Sequence, residues 1–392
     1  MILIKNAKIY RMIGSTIENG YIIVDNGKII EFGEDEPTDD NYEEMYDCQG
    51  GLLFPGLIDS HTHIGVLEEA IGFEGDDINE SFDPITPHLR AIDAINHMDL
   101  AFADAIQAGV TCVATGPGSA NVIGGQFAVI KTYGNTVDDM IIKHPAAIKV
   151  ALGENPKSVY FHNKKSPITR MATAALLREY LYKAQDYMRK LELYNKKNDD
   201  KNKPEFDFKL ECLVDVLLKR VPLKIHVHRA DDILTAIRIC KEFDVNYTLD
   251  HCTEGHLVVD ILKENNISVI IGPTLVSKSK VELKNLTFKT PGLLSNNGVK
   301  IAIMTDHPCI PVQYLPICAA LSVKNGMDEF EALKAITINA AEILGISDRV
   351  GSIEVGKDAD IVVYNKHPFE YDTHTKMVMI NGKIIYKNLN GN

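Results

Sequence analysis

The chain has 392 residues, of which 45% are hydrophobic and 24% charged, enough for one large folded unit plus a smaller one. Its formal charge of −13 repels phosphate backbones and argues against nucleic acid as a partner, while acidic small molecules stay open because a local metal site can invert the field. Seven cysteines, an odd number with no C-x-x-C pair, exclude a readable disulfide framework or cysteine zinc site; with no signal peptide or membrane-spanning apolar run either, a cytoplasmic setting is expected.

In chain order, the first clear element is a hairpin. Residues 21–30, YIIVDNGKII, set Asn26-Gly27 between apolar runs, and residues 377–386, MVMINGKIIY, repeat the arrangement around Asn381-Gly382. Asn-Gly between β-prone runs is the strongest short hairpin signal, because both central residues must take positive φ. Neither end alone has strands enough for a stable sheet, so residues 1–54 and 347–392 are expected to form one composite β-sandwich.

Residues 55–346 alternate short apolar strands with helical patterns. Strands are predicted at Leu57–His63, Val110–Thr115, Ala147–Leu152, Leu223–His228, Tyr247–His251, Ser268–Gly272 and Lys300–Asp306, with another near Gln126–Lys131. Helices are predicted at Ala91–Ala108, Thr169–Leu193, Ile233–Phe243 and Asp328–Leu344. Eight strands with crossovers predict an α/β fold of the (β/α)8, or TIM, barrel type, with an open doubly wound sheet as the rival. The 77 positions from Lys149 to His226 hold two helical patterns joined by NKKNDDKNKPE, which reads as a solvated loop. The helix pair is a lid, an oligomer contact or an elaborated crossover.

The chemistry sits at strand ends. In Asp59-Ser60-His61-Thr62-His63 the two histidines are two residues apart and share one face of a strand. His226 and His228 repeat that spacing, alternating with Leu223, Ile225 and Val227. His251 ends the strand YTLDH and Asp306 ends IAIMTD. All lie at the C-terminal rim, where barrels of this kind build their sites. In AAIKVAL, Ile148, Val150 and Leu152 fit the helix side, so Lys149 points inward, where a lysine is costly unless paired or neutralised. As a free amine it can attack carbon dioxide and become a carbamate with two anionic oxygens. Glu154, just beyond this strand, is the competing candidate for a metal ligand or substrate contact. The glycine-rich stretch ATGPGSANVIGGQF is either a flexible loop or a substrate contact.

With these residues in place the chain resembles the amidohydrolase superfamily, and within it the imidazolonepropionase-related and dipeptidase-like branch. The likeness runs over nearly the full length, through PGLIDSHTH, TPHLRAIDAINHMDLAFADAIQAGVTCV and GSIEVGKDADIVVYN. It implies His61, His63, His226, His251 and Asp306 as metal-site residues and Lys149 as a carboxylated bridging ligand. The expected cofactors are two divalent metals, zinc by ligand type, with carbon dioxide held as the lysine carbamate. Hydroxide would attack an amide or related C–N bond of a small molecule such as a dipeptide or N-acyl amino acid. Asp306 would move the proton and His228 would help to stabilise the oxyanion. Two alternatives are a mononuclear cyclic-amide hydrolase or deaminase and a non-catalytic barrel scaffold; a homo-oligomer is compatible with each. The likeness breaks at Arg229, where imidazolonepropionases and related deaminases carry a glutamate. Arg229 is either a grip for a substrate carboxylate or a structural ion pair with a nearby acid such as Asp231 or Asp232.

Overall fold

The computed structural model describes residues 1–34, 37, 41–70, 72–197 and 203–388. Residues 198–202 of the predicted charged loop lie outside the described residues.

The two chain ends combine as expected. Their strands form one eight-stranded sheet, ordered Lys383–Lys387, Thr375–Ile380, Ile361–Tyr364, Leu52–Pro55, Ile2–Ile9, Ile17–Asp25, Lys28–Gly33, with Glu44–Asp47 paired in parallel to Ile2–Ile9. Both Asn-Gly turns form: φ is 47° and 78° at Asn26 and Gly27, and 50° and 74° at Asn381 and Gly382. Where a sandwich of two sheets is expected, one continuous sheet is found, folded over its own apolar face. Alternation explains how it also serves the neighbouring unit. Ile361, Val363, Met377 and Met379 enter the sheet's own core, whereas Val362, Tyr364, Val378 and Ile380 enter the main core.

The second sheet has eight strands in sequence order: β1 (Leu57–Thr62), β2 (Val110–Thr115), β3 (Ile123–Lys131), β4 (Ile141–Ala151), β5 (Leu223–Val227), β6 (Tyr247–His251), β7 (Val269–Ile271) and β8 (Ile301–Ile303). It is nearly closed. The seam between β8 and β1 is made by Ser60 Oγ donating to Ile303 O at 3.3 Å, Asp306 N to His61 O at 3.1 Å and His63 N to His307 O at 2.9 Å. The buried Asp59 carboxylate adds to the seam by accepting from Thr305 N and Thr305 Oγ1. Burial pushes that carboxyl up to about 7, against the hydrogen bonds from Thr305 and His61.

Strand β3 departs from an all-parallel barrel, pairing antiparallel with both β2 and β4. The reason is connection length: only residues 116–122 and 132–140 separate it from its neighbours, and a parallel crossover needs about a dozen residues or more. Two predicted helices change as well. Ala91–Ala108 reduces to a turn at Ala91–Asp93 and a helix at Leu100–Gln107, because the Asp99 side chain caps Ala101 N and also binds Gly65 N. Asp328–Leu344 is two helices, Glu329–Ala335 and Ile338–Leu344, broken where Thr337 leaves helical geometry and donates its hydroxyl to Leu333 O. The long connection carries three helices, Glu154–His162, Arg170–Lys197 and Phe208–Leu217, where two were predicted.

A buried charge cluster joins the two sheets. Lys131 of β3 lies 2.5 Å from Asp360 and 3.1 Å from Asp358, and Asp358 also meets Lys28 and Arg349. Lys131→Met would leave two carboxylates buried without their central cation. A loss of about 3–5 kcal/mol in unfolding free energy is expected by chemical denaturation. Wild-type stability in this variant would show that the cluster contributes nothing to the joint.

Candidate metal centre

The barrel strands point apolar side chains outward, with Ile148, Val150, Leu223, Ile225 and Leu249 in the main core, so polar side chains of the opposite parity point inward. His61 lies in β1, His63 one residue past it, His226 in β5, His228 one residue past that, and His251 at the end of β6. Asp306 follows β8 by three residues. His251, Cys252 and Asp306 take left-handed φ of 68°, 46° and 54°, a conformation costing non-glycine residues of order 1–3 kcal/mol each and found where a rim must aim particular groups.

Partners on the outer ring nitrogens orient the imidazoles. His63 Nδ1 donates to Gly116 O at 2.7 Å and His251 Nδ1 to Gly272 O at 2.8 Å; a carbonyl can only accept, so each Nε2 carries a lone pair. His61 Nδ1 meets Asp250 Oδ2 at 2.5 Å, giving it the same tautomer. Gly272 is required where it stands: at φ 147° a Cβ would come within 2.3 Å of Met304 O, and its carbonyl would no longer hold His251.

With neutral rings the inner atoms converge as acceptors, an arrangement suited to a cation among them. His63 Nε2 and Asp306 Oδ1, both acceptors, face each other at 3.3 Å, and His61 Nε2 is 3.6 Å from the same oxygen. Asp306 Oδ1, both ring nitrogens of His226 and His228 Nε2 are buried without hydrogen-bond partners. The donor atoms of His61, His251 and Asp306 lie within 4.8 Å of one another, and so do those of His226, His228 and His251. Burial lowers the pKa of His61, His226 and His251 well below the usual imidazole value and takes His228 down to about 4, keeping these rings neutral. These two groups fit divalent metal ions.

Lys149 does point inward. It is 1% exposed, with Nζ 3.1 Å from His61 Nε2, and burial lowers its pKa to about 8 against the pull of Asp250 and Asp306. A second buried lysine, Lys224, stands beside it across the β4–β5 pairing and donates to Ser60 O and Asp250 Oδ2, both at 2.9 Å. Sequence reasoning missed Lys224 and Asp250. The parity that singled out His226 and His228 also marked Lys224. Parity in β6 also turned Asp250 inward, opposite to Leu249, but nothing local showed that it meets His61, 189 positions away.

A cavity of about 430 Å³ opens over this cluster, lined by His63, Lys149, His226, His228, His251 and Asp306 together with Gly118 and Ser119 of the glycine-rich stretch, Asn155, Lys280 and Cys309. Glu154 lies elsewhere: its amide donates to Glu282 Oε2 at 3.0 Å and its carboxylate accepts from Glu282 N at 3.3 Å. Arg229 is not among the lining residues; it makes a two-pronged pair with Asp231 at 2.9 and 2.8 Å. Lys280 is the cation from the surrounding loops that reaches the cavity, among the described residues.

Fold and cluster together define a hydrolase with a histidine- and aspartate-rich group at the rim of a nearly closed barrel that could hold metal. The chain belongs to the amidohydrolase family, which matches residues 52–385, and is an enzyme acting on carbon–nitrogen bonds. It is similar to an amidohydrolase from Thermotoga maritima MSB8, with a TM-score of 0.96 and 44% identity over 99% of this chain and 100% of that one. It is 25% identical to an imidazolonepropionase of Thermoplasma volcanium over 94% of this chain and 91% of that protein. It is 28% identical to the amidohydrolase tasK of Hapsidospora irregularis over 93% of this chain, which spans only 39% of that longer protein. Among the described residues no helix is long and apolar enough to cross a membrane.

Proposed function

We propose that this enzyme is a dinuclear amidohydrolase cleaving an amide or related C–N bond of a small molecule, with a dipeptide or N-acyl amino acid as the substrate class. One observation carries this reading: two groups of buried candidate donors share His251 beside one cavity, and Asp306 Oδ1, both ring nitrogens of His226 and His228 Nε2 among them have no hydrogen-bond partner. His61, His63 and Asp306 would hold one ion, His226 and His251 the other, and Lys149, once carboxylated, would lie between them. The proximity of Lys149 Nζ to His61 Nε2 supports that placement, and so does a pKa of about 8, which leaves a useful fraction of free amine. Divalent ions bound here, zinc by ligand type, would supply a water ionised near neutral pH and polarise the scissile carbonyl. Asp306 takes the proton released in the attack and gives it to the leaving nitrogen. His228 lines the cavity, with Thr253 Oγ1 2.8 Å from its Nδ1 holding the ring, and would stabilise the oxyanion. The same reading assigns residues 55–346 to the hydrolase barrel and residues 1–54 with 347–392 to the composite β unit.

The likeness to an imidazolonepropionase favours a second reading, a mononuclear cyclic-amide hydrolase. Metal analysis of protein purified without a histidine tag, with a screen of dipeptides, N-acyl amino acids and cyclic amides, separates the two. Two ions per chain and turnover of linear amides support the first. A single ion with turnover confined to cyclic amides overturns it. Because Arg229 is paired with Asp231 outside the cavity, Arg229→Met should change KM for carboxylate-bearing substrates by less than about threefold. A tenfold rise in KM, worth about 1.4 kcal/mol of binding, seen for these substrates and not for their neutral amides, would return Arg229 to the substrate site.

A further inference from the structure

One of the least satisfied groups in the barrel is a carboxylate that neither motif nor strand parity singles out. Glu282 is 1% exposed, in the short turn Val281–Leu283 that follows β7. Its Oε2 accepts from Glu154 N, which holds the side chain, and its own amide donates to Glu154 Oε2, which holds the backbone of the turn. Its Oε1 is buried without a hydrogen-bond partner. That atom lies 3.5 Å from His228 Nε2 and 3.9 Å from His226 Nε2, both also buried and unpartnered. Lys280 Nζ is 3.9 Å away and committed to Asn155 Oδ1 at 2.7 Å, so it does not satisfy the carboxylate. Three buried polar atoms turned toward one another without partners are costly unless something charged lies among them. Nitrogen and oxygen ligands sit about 2.0–2.2 Å from zinc, which sets ligand atoms around one ion roughly 3–4 Å apart.

We propose that Glu282 is a metal ligand, joining with His228 the His226–His251 site and giving that one of the two divalent cations a carboxylate. The proposal rests on the metal-centre reading above and adds to it a negatively charged ligand from the β7 loop. His228 then acts on the oxyanion through the ion it helps to hold. Glu154 becomes the residue that positions Glu282, which accounts for a conspicuous carboxylate just past β4 that does not itself line the cavity.

The test is metal binding, read without reference to turnover. Wild-type protein and Glu282→Gln are stripped with a chelator and titrated with zinc, and bound metal is counted by elemental analysis. The amide oxygen of glutamine still accepts from Glu154 N, so the turn is preserved. In the variant one of two ions should be lost or bound at least about tenfold more weakly, with the apo-protein's melting temperature unchanged. Two ions at wild-type affinity in Glu282→Gln would overturn the proposal. If that variant does not fold, His228→Asn serves instead: weakening of one ion supports the shared site, and unchanged affinity overturns it. Wild-type protein that binds no zinc would refute the metal-centre reading and this proposal with it; two ions in both wild type and variant would refute this proposal alone.

Discussion

Asp306→Asn should lower kcat by about 10²- to 10⁴-fold on any substrate the enzyme turns over, with a much smaller change in KM. The aspartate is 8% exposed, lines the cavity, and is turned toward His61 and His63 by a left-handed backbone that the seam bond from Asp306 N to His61 O holds in place. Asparagine keeps the shape and removes both the charge and the basicity, so the proton transfer proposed for Asp306 would be lost. Metal content has to be measured alongside. A kcat within a few-fold of wild type, with metal retained, would remove Asp306 from the proton-transfer role. A parallel loss of one ion would show that its main contribution is to bind metal.

Lys149→Ala should abolish measurable turnover and weaken binding of at least one ion. Short carboxylates such as acetate or propionate, entering the space left by the side chain, should restore part of both. This expectation follows from position: Lys149 is fully enclosed, 3.1 Å from His61 Nε2, with the Phe127 ring 5.3 Å from its Nζ. A carboxylated lysine would carry the mass of one added carbon dioxide in gentle-ionisation spectra of the intact protein and give excess density in a crystal structure. Lys224 is the internal control. It is equally buried but its Nζ is bound to Ser60 O and Asp250, so Lys224→Met should lower stability with no rescue by carboxylates. Full activity in Lys149→Ala would overturn the bridging role.

Much of this protein is decided by local sequence. Asn26-Gly27 and Asn381-Gly382 dictate their hairpins because Asn-Gly accepts two successive positive φ values, and the hairpins form there. Alternation in AAIKVAL and LKIHVH sets which side chains face the barrel interior, because a strand turns successive residues to opposite faces, so Lys149, His226 and His228 were legible from parity alone. The short connections around β3 also carried the information that it must run antiparallel; the alternating pattern of strand and helix concealed it. What only the tertiary structure decided is which distant groups meet. Asp250 orients His61, Lys224 occupies Asp250, Glu282 turns its free oxygen to His226 and His228, and Arg229 is neutralised by Asp231 instead of reaching the cavity. These outcomes depend on strand order, loop path and the cost of leaving a buried charge unpaired, and such costs are settled between residues tens to hundreds of positions apart, beyond the reach of any local pattern.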